Sequence, residues 1–298
     1  MTAGGSQTGA QAPSSAGATG TAPGSGSAGA GAGMSTTPPD LTPLGPGMCC
    51  PDGKCLCRAE PPSTLSGDKG PHTPAQFEIA GLGCVFYPSD APPPYAAVAL
   101  ADGFGGSGGC DSVQIGEWGP LYASHGIVAM IIDTGTGDQA SLRGEELTAG
   151  ITALKAENDK SESPLFGKLA GRYGTSGFSM GGGGSAYAAQ ADKTLLSSVA
   201  IMPWNTDAAA VGGSVPTLIV CGDNDAVAPC SAYGTKAYTK AEGPKMRATI
   251  SSDYNGQPSA AMGASGGYAL AFQKLFLEGD ERWRPLLVMA KSDETTIK

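Results

Sequence analysis

The sequence predicts a doubly wound α/β fold: a mostly parallel sheet with helices on both faces. Three observations predict it. From residue 76 onward, short apolar runs alternate with stretches whose apolar residues recur at helical spacing. Such alternation implies parallel strands joined by crossover helices. One run, Gly126–Asp133, is apolar almost throughout, as a strand buried on both faces requires. A G-x-S-x-G sequence, Gly177-Phe178-Ser179-Met180-Gly181, stands between a strand-like run and a helix-compatible stretch.

The elements follow in order. Gln76–Ala80 and Cys84–Tyr87 read as an antiparallel pair of edge strands around a Gly-Leu-Gly turn. Tyr95–Ala101 is an apolar run that ends in a glycine-rich loop, and Gly126–Asp133 is the buried strand. Leu142, Leu147, Ile151 and Leu154 recur at helical spacing. Tyr173–Phe178 leads into Ser179, and Ser185–Ala191 continues as helix. Ser198–Met202, Thr217–Cys221 and Arg247–Ser251 are further strands, and Tyr268–Leu277 is the last long helix. In sheets of this type the chemistry gathers at the carboxyl ends of the strands.

Not all of the chain can form a core. Residues 1–33 are almost entirely Gly, Ala, Ser, Thr, Pro and Gln, and prolines extend the stretch to residue 47. It lacks large side chains to bury, so nothing offsets the entropy of ordering it, and a disordered linker is expected over 1–47. A Cys-rich lead-in (48–64) and one α/β domain (65–298) follow.

The net charge is −9, without a basic cluster. Nucleic-acid binding needs the opposite sign and is not expected. No apolar run reaches the roughly 18 residues of a membrane span. Eight cysteines, Cys49, Cys50, Cys55, Cys57, Cys84, Cys110, Cys221 and Cys230, suggest disulfides and an oxidising compartment. Zinc in the Cys49–Cys57 cluster is the rival reading, but its spacing is unlike paired C-x-x-C ligands, and no metal or cofactor is expected. No charged n-region or apolar h-region follows Met1. The cysteines and the tail point to a secreted or cell-surface protein. The tail also resembles the linker behind a bacterial lipoprotein anchor, so a lipid-anchored precursor is compatible with it. A monomer is expected.

Ser179 carries the chemistry. G-x-S-x-G puts a serine on the sharp strand-to-helix turn of the α/β-hydrolase fold. Its glycines allow backbone contacts that a Cβ would block. The serine is left at a helix N-terminus, where free N–H groups favour negative charge.

At these residues the chain resembles bacterial cutinases and the related polyester (PET) hydrolases, an α/β-hydrolase group related to dienelactone hydrolases. Gly177–Ser185 (GFSMGGGGS) is similar to their elbow with its glycine run. Leu121–Asp133, Asp138–Leu147, Trp204-Asn205-Thr206-Asp207, Asp223–Pro229 and Phe276–Trp283 resemble further family segments in order and spacing. The resemblance covers roughly residues 65–285. It implies that Asp225 is the triad acid, with Asp223 as the neighbouring candidate; one of the two is alternatively a cap for a helix starting at Cys230. It implies an oxyanion hole from the N–H groups of Phe104, in Gly103-Phe104-Gly105-Gly106, and of Met180. Phe178 and Trp204 would bind substrate, or belong to the core.

The pattern breaks at the base. The chain has two histidines. His125 immediately precedes the strand Gly126–Asp133, so it sits at the amino edge, over about 20 Å from the carboxyl edge. His72 lies before the first strand. The family's histidine belongs in the loop after the last strand, here Asp253–Ser259, where Gln257 takes the matching position. An amide holds a hydrogen bond but takes up no proton near neutral pH.

The expected function is a serine carboxylic-ester hydrolase acting on an ester or polyester through a Ser179 acyl-enzyme, with weak or absent activity. The alternatives are a catalytically inactive protein that binds esters or polymers at the cell surface, and an active enzyme inactivated by loss of its histidine.

Overall fold

The computed structural model describes residues 55–135, 137, 139–205, 213–251, 262–290 and 292–297. The linker 1–47, Cys49, Cys50 and Gln257 lie outside the described residues. Nine described strands form one sheet in the order β1-β2-β4-β3-β5-β6-β7-β8-β9. They are β1 (Pro74–Ile79), β2 (Gly83–Pro88), β3 (Tyr95–Ala101), β4 (Val128–Ile132), β5 (Leu169–Phe178), β6 (Ser197–Ile201), β7 (Thr217–Gly222), β8 (Lys245–Ile250) and β9 (Glu294–Thr295). The pairs from β4 through β3, β5, β6 and β7 to β8 are parallel, while β1–β2, β2–β4 and β8–β9 are antiparallel.

β4 is apolar throughout because both of its faces are covered. Ala129 and Ile131 join one core, and Val128, Met130 and Ile132 join the other. The first core is closed by α1 (Trp118–Ser124) and by α5 (Gly267–Phe272), which continues as a π-helical turn, Gln273–Glu278. The second is closed by α2 (Ala140–Asp159), through Leu147, Ile151 and Leu154, and by α3 (Met180–Ala191), through Ala188 and Ala189. The helices α4 (Gly234–Lys240) and α6 (Arg284–Met289) complete the layers. This is the mostly parallel α/β-hydrolase arrangement that the alternation of runs implies.

One reading needs adjustment. β2 pairs as expected with β1 but is not an edge strand: it also pairs with β4, and its side chains are nearly all buried. The lead-in is part of the folded body where it is described. Leu56 and Ala59 are buried, the Leu56 N–H donates to the Glu278 carbonyl at 3.0 Å, and Arg282 pairs with Glu60 at 2.6 Å.

The described cysteines are all disulfide-bonded. Cys84 bonds Cys110 and Cys221 bonds Cys230, and Cys55 and Cys57 are each disulfide-bonded. A disulfide sulfur is not a zinc thiolate.

Candidate active site

β5 delivers Ser179. Its register runs parallel to β6 up to Phe178 opposite Ile201, and α3 starts at Met180. Between them Ser179 has φ 53° and ψ −115°, a conformation that L side chains rarely adopt. The turn is held from three sides. The Ser179 N–H donates to the Ile201 carbonyl at 2.9 Å, and the Ser179 carbonyl accepts from Gly183 at 3.0 Å and from Trp204 at 2.8 Å. Both motif glycines are there for close approach. A Cβ on Gly177 would stand 2.2 Å from the Gly181 carbonyl carbon, and one on Gly181 would stand 2.1 Å from the Ala101 carbonyl oxygen.

Below the turn, a chain of buried hydroxyls joins its two legs. Ser185 on α3 lies 2.9 Å from Thr175 on β5 and 2.9 Å from Ser198 on β6. The four consecutive glycines of α3 are poor helix formers, and these contacts fix the helix against the sheet.

The loop after β3 lies beside the serine: a Cβ on Gly103 would be 3.0 Å from the Ser179 Cβ and 3.3 Å from the Phe178 ring. The loop is built on a fully buried carboxylate, Asp102, which accepts from the Gly108 N–H at 2.8 Å and from the Ser112 hydroxyl at 2.8 Å. Burial pushes the Asp102 carboxyl above its usual range, and the hydrogen bonds oppose that shift. The Cys84–Cys110 disulfide ties the same loop to β2. Phe104 follows Gly103 and is 63% exposed, while Met180 is buried as the first residue of α3, where a helix leaves open N–H donors.

Asp225 follows β7, two strands across from β5, or about 10 Å of sheet. It is buried, whereas Asp223 is exposed. One carboxylate oxygen, Oδ1, accepts from the N–H groups of Val227 (2.9 Å) and Ala228 (2.7 Å). The other, Oδ2, is buried with no hydrogen-bond partner among the described residues. Asp225 therefore caps its own turn and does not cap α4, which starts at Gly234. The Cys221–Cys230 disulfide closes the loop that carries it.

The aromatic candidates differ. Phe178 is only 6% exposed and belongs to the core. Trp204 is half-buried beside the serine, its ring 6.1 Å from that of Tyr233. Neither histidine is near the turn. The His125 Nε2–H donates to the Asp68 carbonyl at 2.9 Å at the amino end of β4, and burial lowers its pKa to about 4. His72 Nε2 lies 2.7 Å from the Arg58 carbonyl. What the sequence reading lacked were the cysteine partners, the buried role of Asp102, and Gln114, whose amide reaches the Gly103–Phe104 segment. The two cysteines that flank Asp225 were the available signal.

A family model described as PET hydrolase-like matches residues 58–297. The chain belongs to the PET hydrolase-like family. It is 29% identical to a bis(hydroxyethyl) terephthalate hydrolase of Streptomyces coelicolor, over 79% of this chain and 77% of that one. It is 28% identical to cutinase 1 of Thermobifida cellulosilytica (77% of this chain, 88% of the other). It is 30% identical to cutinase est1 of Thermobifida alba (76% and 77%). By family and fold the chain is an ester hydrolase of the cutinase type. Among the described residues, no helix is long and apolar enough to cross a membrane.

Proposed function

We propose that this PET hydrolase-like chain is a serine carboxylic-ester hydrolase that acts through a Ser179 acyl-enzyme and turns over weakly or not at all. Ser179 attacks the ester carbonyl, the N–H groups of Phe104 and Met180 stabilise the resulting oxyanion, the alcohol leaves, and water releases the acid. Asp225 is the acid that would orient and charge-stabilise an imidazole. Phe104 and Trp204 border the acyl group; Phe178 supports the turn from the core. One observation carries the reading: a serine on a strained turn stands at the same sheet edge as a buried Asp225, one oxygen of which has no hydrogen-bond partner among the described residues. An acid prepared for an imidazole, with Gln257 at the position where the resemblance expects that imidazole, describes an ester hydrolase without its base. The substrates are esters or polyesters. The disulfides support an oxidising, extracytoplasmic location, secreted or cell-surface. We propose that the chain acts as a monomer.

The test is labelling with a fluorophosphonate, located by mass spectrometry, beside p-nitrophenyl ester turnover. Slow labelling at Ser179, lost in Ser179→Ala, with turnover orders of magnitude below that of a cutinase, supports the proposal. Labelling elsewhere, or none, refutes it. The second reading, an inactive ester- or polymer-binding protein, is favoured by Gln257. It predicts adsorption to polyester that Ser179→Ala leaves intact, with no hydrolysis.

A further inference from the structure

The Gly103–Phe104 segment has four backbone polar groups, and three of them are engaged. The Gly103 N–H donates to Gln114 Oε1 at 2.8 Å. The Phe104 carbonyl accepts from Gln114 Nε2 at 3.1 Å. The Gly103 carbonyl accepts from the Gly106 N–H at 3.2 Å. The fourth, the Phe104 N–H, makes no hydrogen bond among the described residues. It shares a planar trans peptide with the Gly103 carbonyl, so fixing that carbonyl toward Gly106 aims the N–H the opposite way. One side chain brackets both ends of the unit, and the unit adjoins Ser179.

Gln114 is itself held. The neighbouring Ile115 N–H donates to the Ser112 hydroxyl at 3.0 Å, and that hydroxyl donates to Asp102, the residue just before Gly103. The carboxylate, the disulfide-tied loop and the glutamine thus form one closed frame around the Gly103–Phe104 peptide.

We propose that Gln114 is a positioning residue for ester hydrolysis: its amide presets the Phe104 N–H as an oxyanion donor. This rests on the reading of Ser179 and Phe104 given above. Gln114 acts through the peptide and is not a catalytic residue. A donor held in place before charge develops is worth more than one that must be aimed during the reaction. Loosening the bracket should therefore slow bond formation without weakening ground-state binding.

The experiment is saturation kinetics of fluorophosphonate labelling on the full chain, which separates the limiting rate from the half-saturating concentration. Gln114→Leu removes both hydrogen bonds. Gln114→Glu keeps size and the acceptor for Gly103, loses the donor to Phe104, and guards against a folding failure. We expect the limiting rate at Ser179 to fall about tenfold or more in both variants, below the roughly 10²-fold or greater loss of a whole oxyanion donor. The half-saturating concentration should stay close to that of the parent. An unchanged limiting rate in a folded Gln114→Glu, or a change confined to half-saturation, overturns the proposal and leaves the site reading standing. A parent chain that is not labelled at Ser179 overturns the site reading, and this proposal with it.

Discussion

Gly181→Ala should break the serine turn although alanine is the better helix former. Gly181 is the second residue of α3. The added Cβ would stand 2.1 Å from the Ala101 carbonyl oxygen and 2.6 Å from the Asp102 carbonyl oxygen, both backbone atoms. Ordinary contact begins at 3.4 Å, so helix and strand must part by about 1.3 Å. The helix gains at most about 1 kcal/mol from the replacement, while overpacking of this kind costs about 1–3 kcal/mol or more. Because the obstacle is main chain and not a side-chain end, the upper part of that range applies, and a net loss of about 2 kcal/mol follows. That corresponds to a fall of about 4–8 °C in Tm for a domain of this size. The displaced strand end is Ala101–Asp102, which leads directly into Gly103 and Phe104, so labelling of Ser179 should slow as well. Thermal unfolding and fluorophosphonate labelling decide it. A Gly181→Ala chain as stable as its parent, with unchanged labelling, would refute the close-packing argument.

Reducing the acid loop should also be costly: Cys221→Ala with Cys230→Ala opens a short closed loop worth roughly 2–3 kcal/mol, and differential scanning calorimetry should record a Tm lower by about 4–12 °C. Acid stability should depend on His125, whose pKa burial lowers from 6.5 to about 4. Below its ordinary pKa the unfolded chain takes up a proton that the folded chain resists, so stability falls as pH drops from about 6.5 toward 4 by roughly 3 kcal/mol. Glu278 acts in the opposite sense, because burial raises it to about 7 and its contribution is lost as pH rises from 4.5 through 7. Urea midpoints of His125→Gln against the parent isolate the histidine: the variant's acid limb should be flatter, and identical pH profiles would contradict the assignment.

The strands were legible because burial on both faces leaves apolar runs such as Val128–Ile132, and the serine turn because its glycines are required by backbone contact. α3 was legible from its context even though four glycines argue against a helix; the buried Thr175–Ser185–Ser198 contacts replace the missing propensity. β2 was misplaced at an edge because pairing order is a long-range property that a local pattern does not encode. The disulfide partners were hidden for the same reason: Cys84 and Cys110 meet only because the loop after β3 folds back over β2. Gln114 went unnoticed because a glutamine in a loop has no sequence signature, and its role depends on the bend that brings it to Gly103. Asp225 was preferred over Asp223 by resemblance alone, because two carboxylates in one loop look alike in sequence; in the structure the first is buried and the second exposed.

The central claim is that an ester-hydrolase site has kept its serine, acid and oxyanion donors and lost its base at Gln257. Restoring the base tests it most directly. Gln257→His should raise p-nitrophenyl ester turnover by about 10²-fold or more, given that removing the base in a serine protease costs roughly 10⁶. The gain should vanish in the combinations with Ser179→Ala and with Asp225→Ala. A parent chain that already hydrolyses esters at the rate of an intact enzyme, loses that activity on Ser179→Ala, and gains nothing from Gln257→His would contradict the claim and place the base elsewhere.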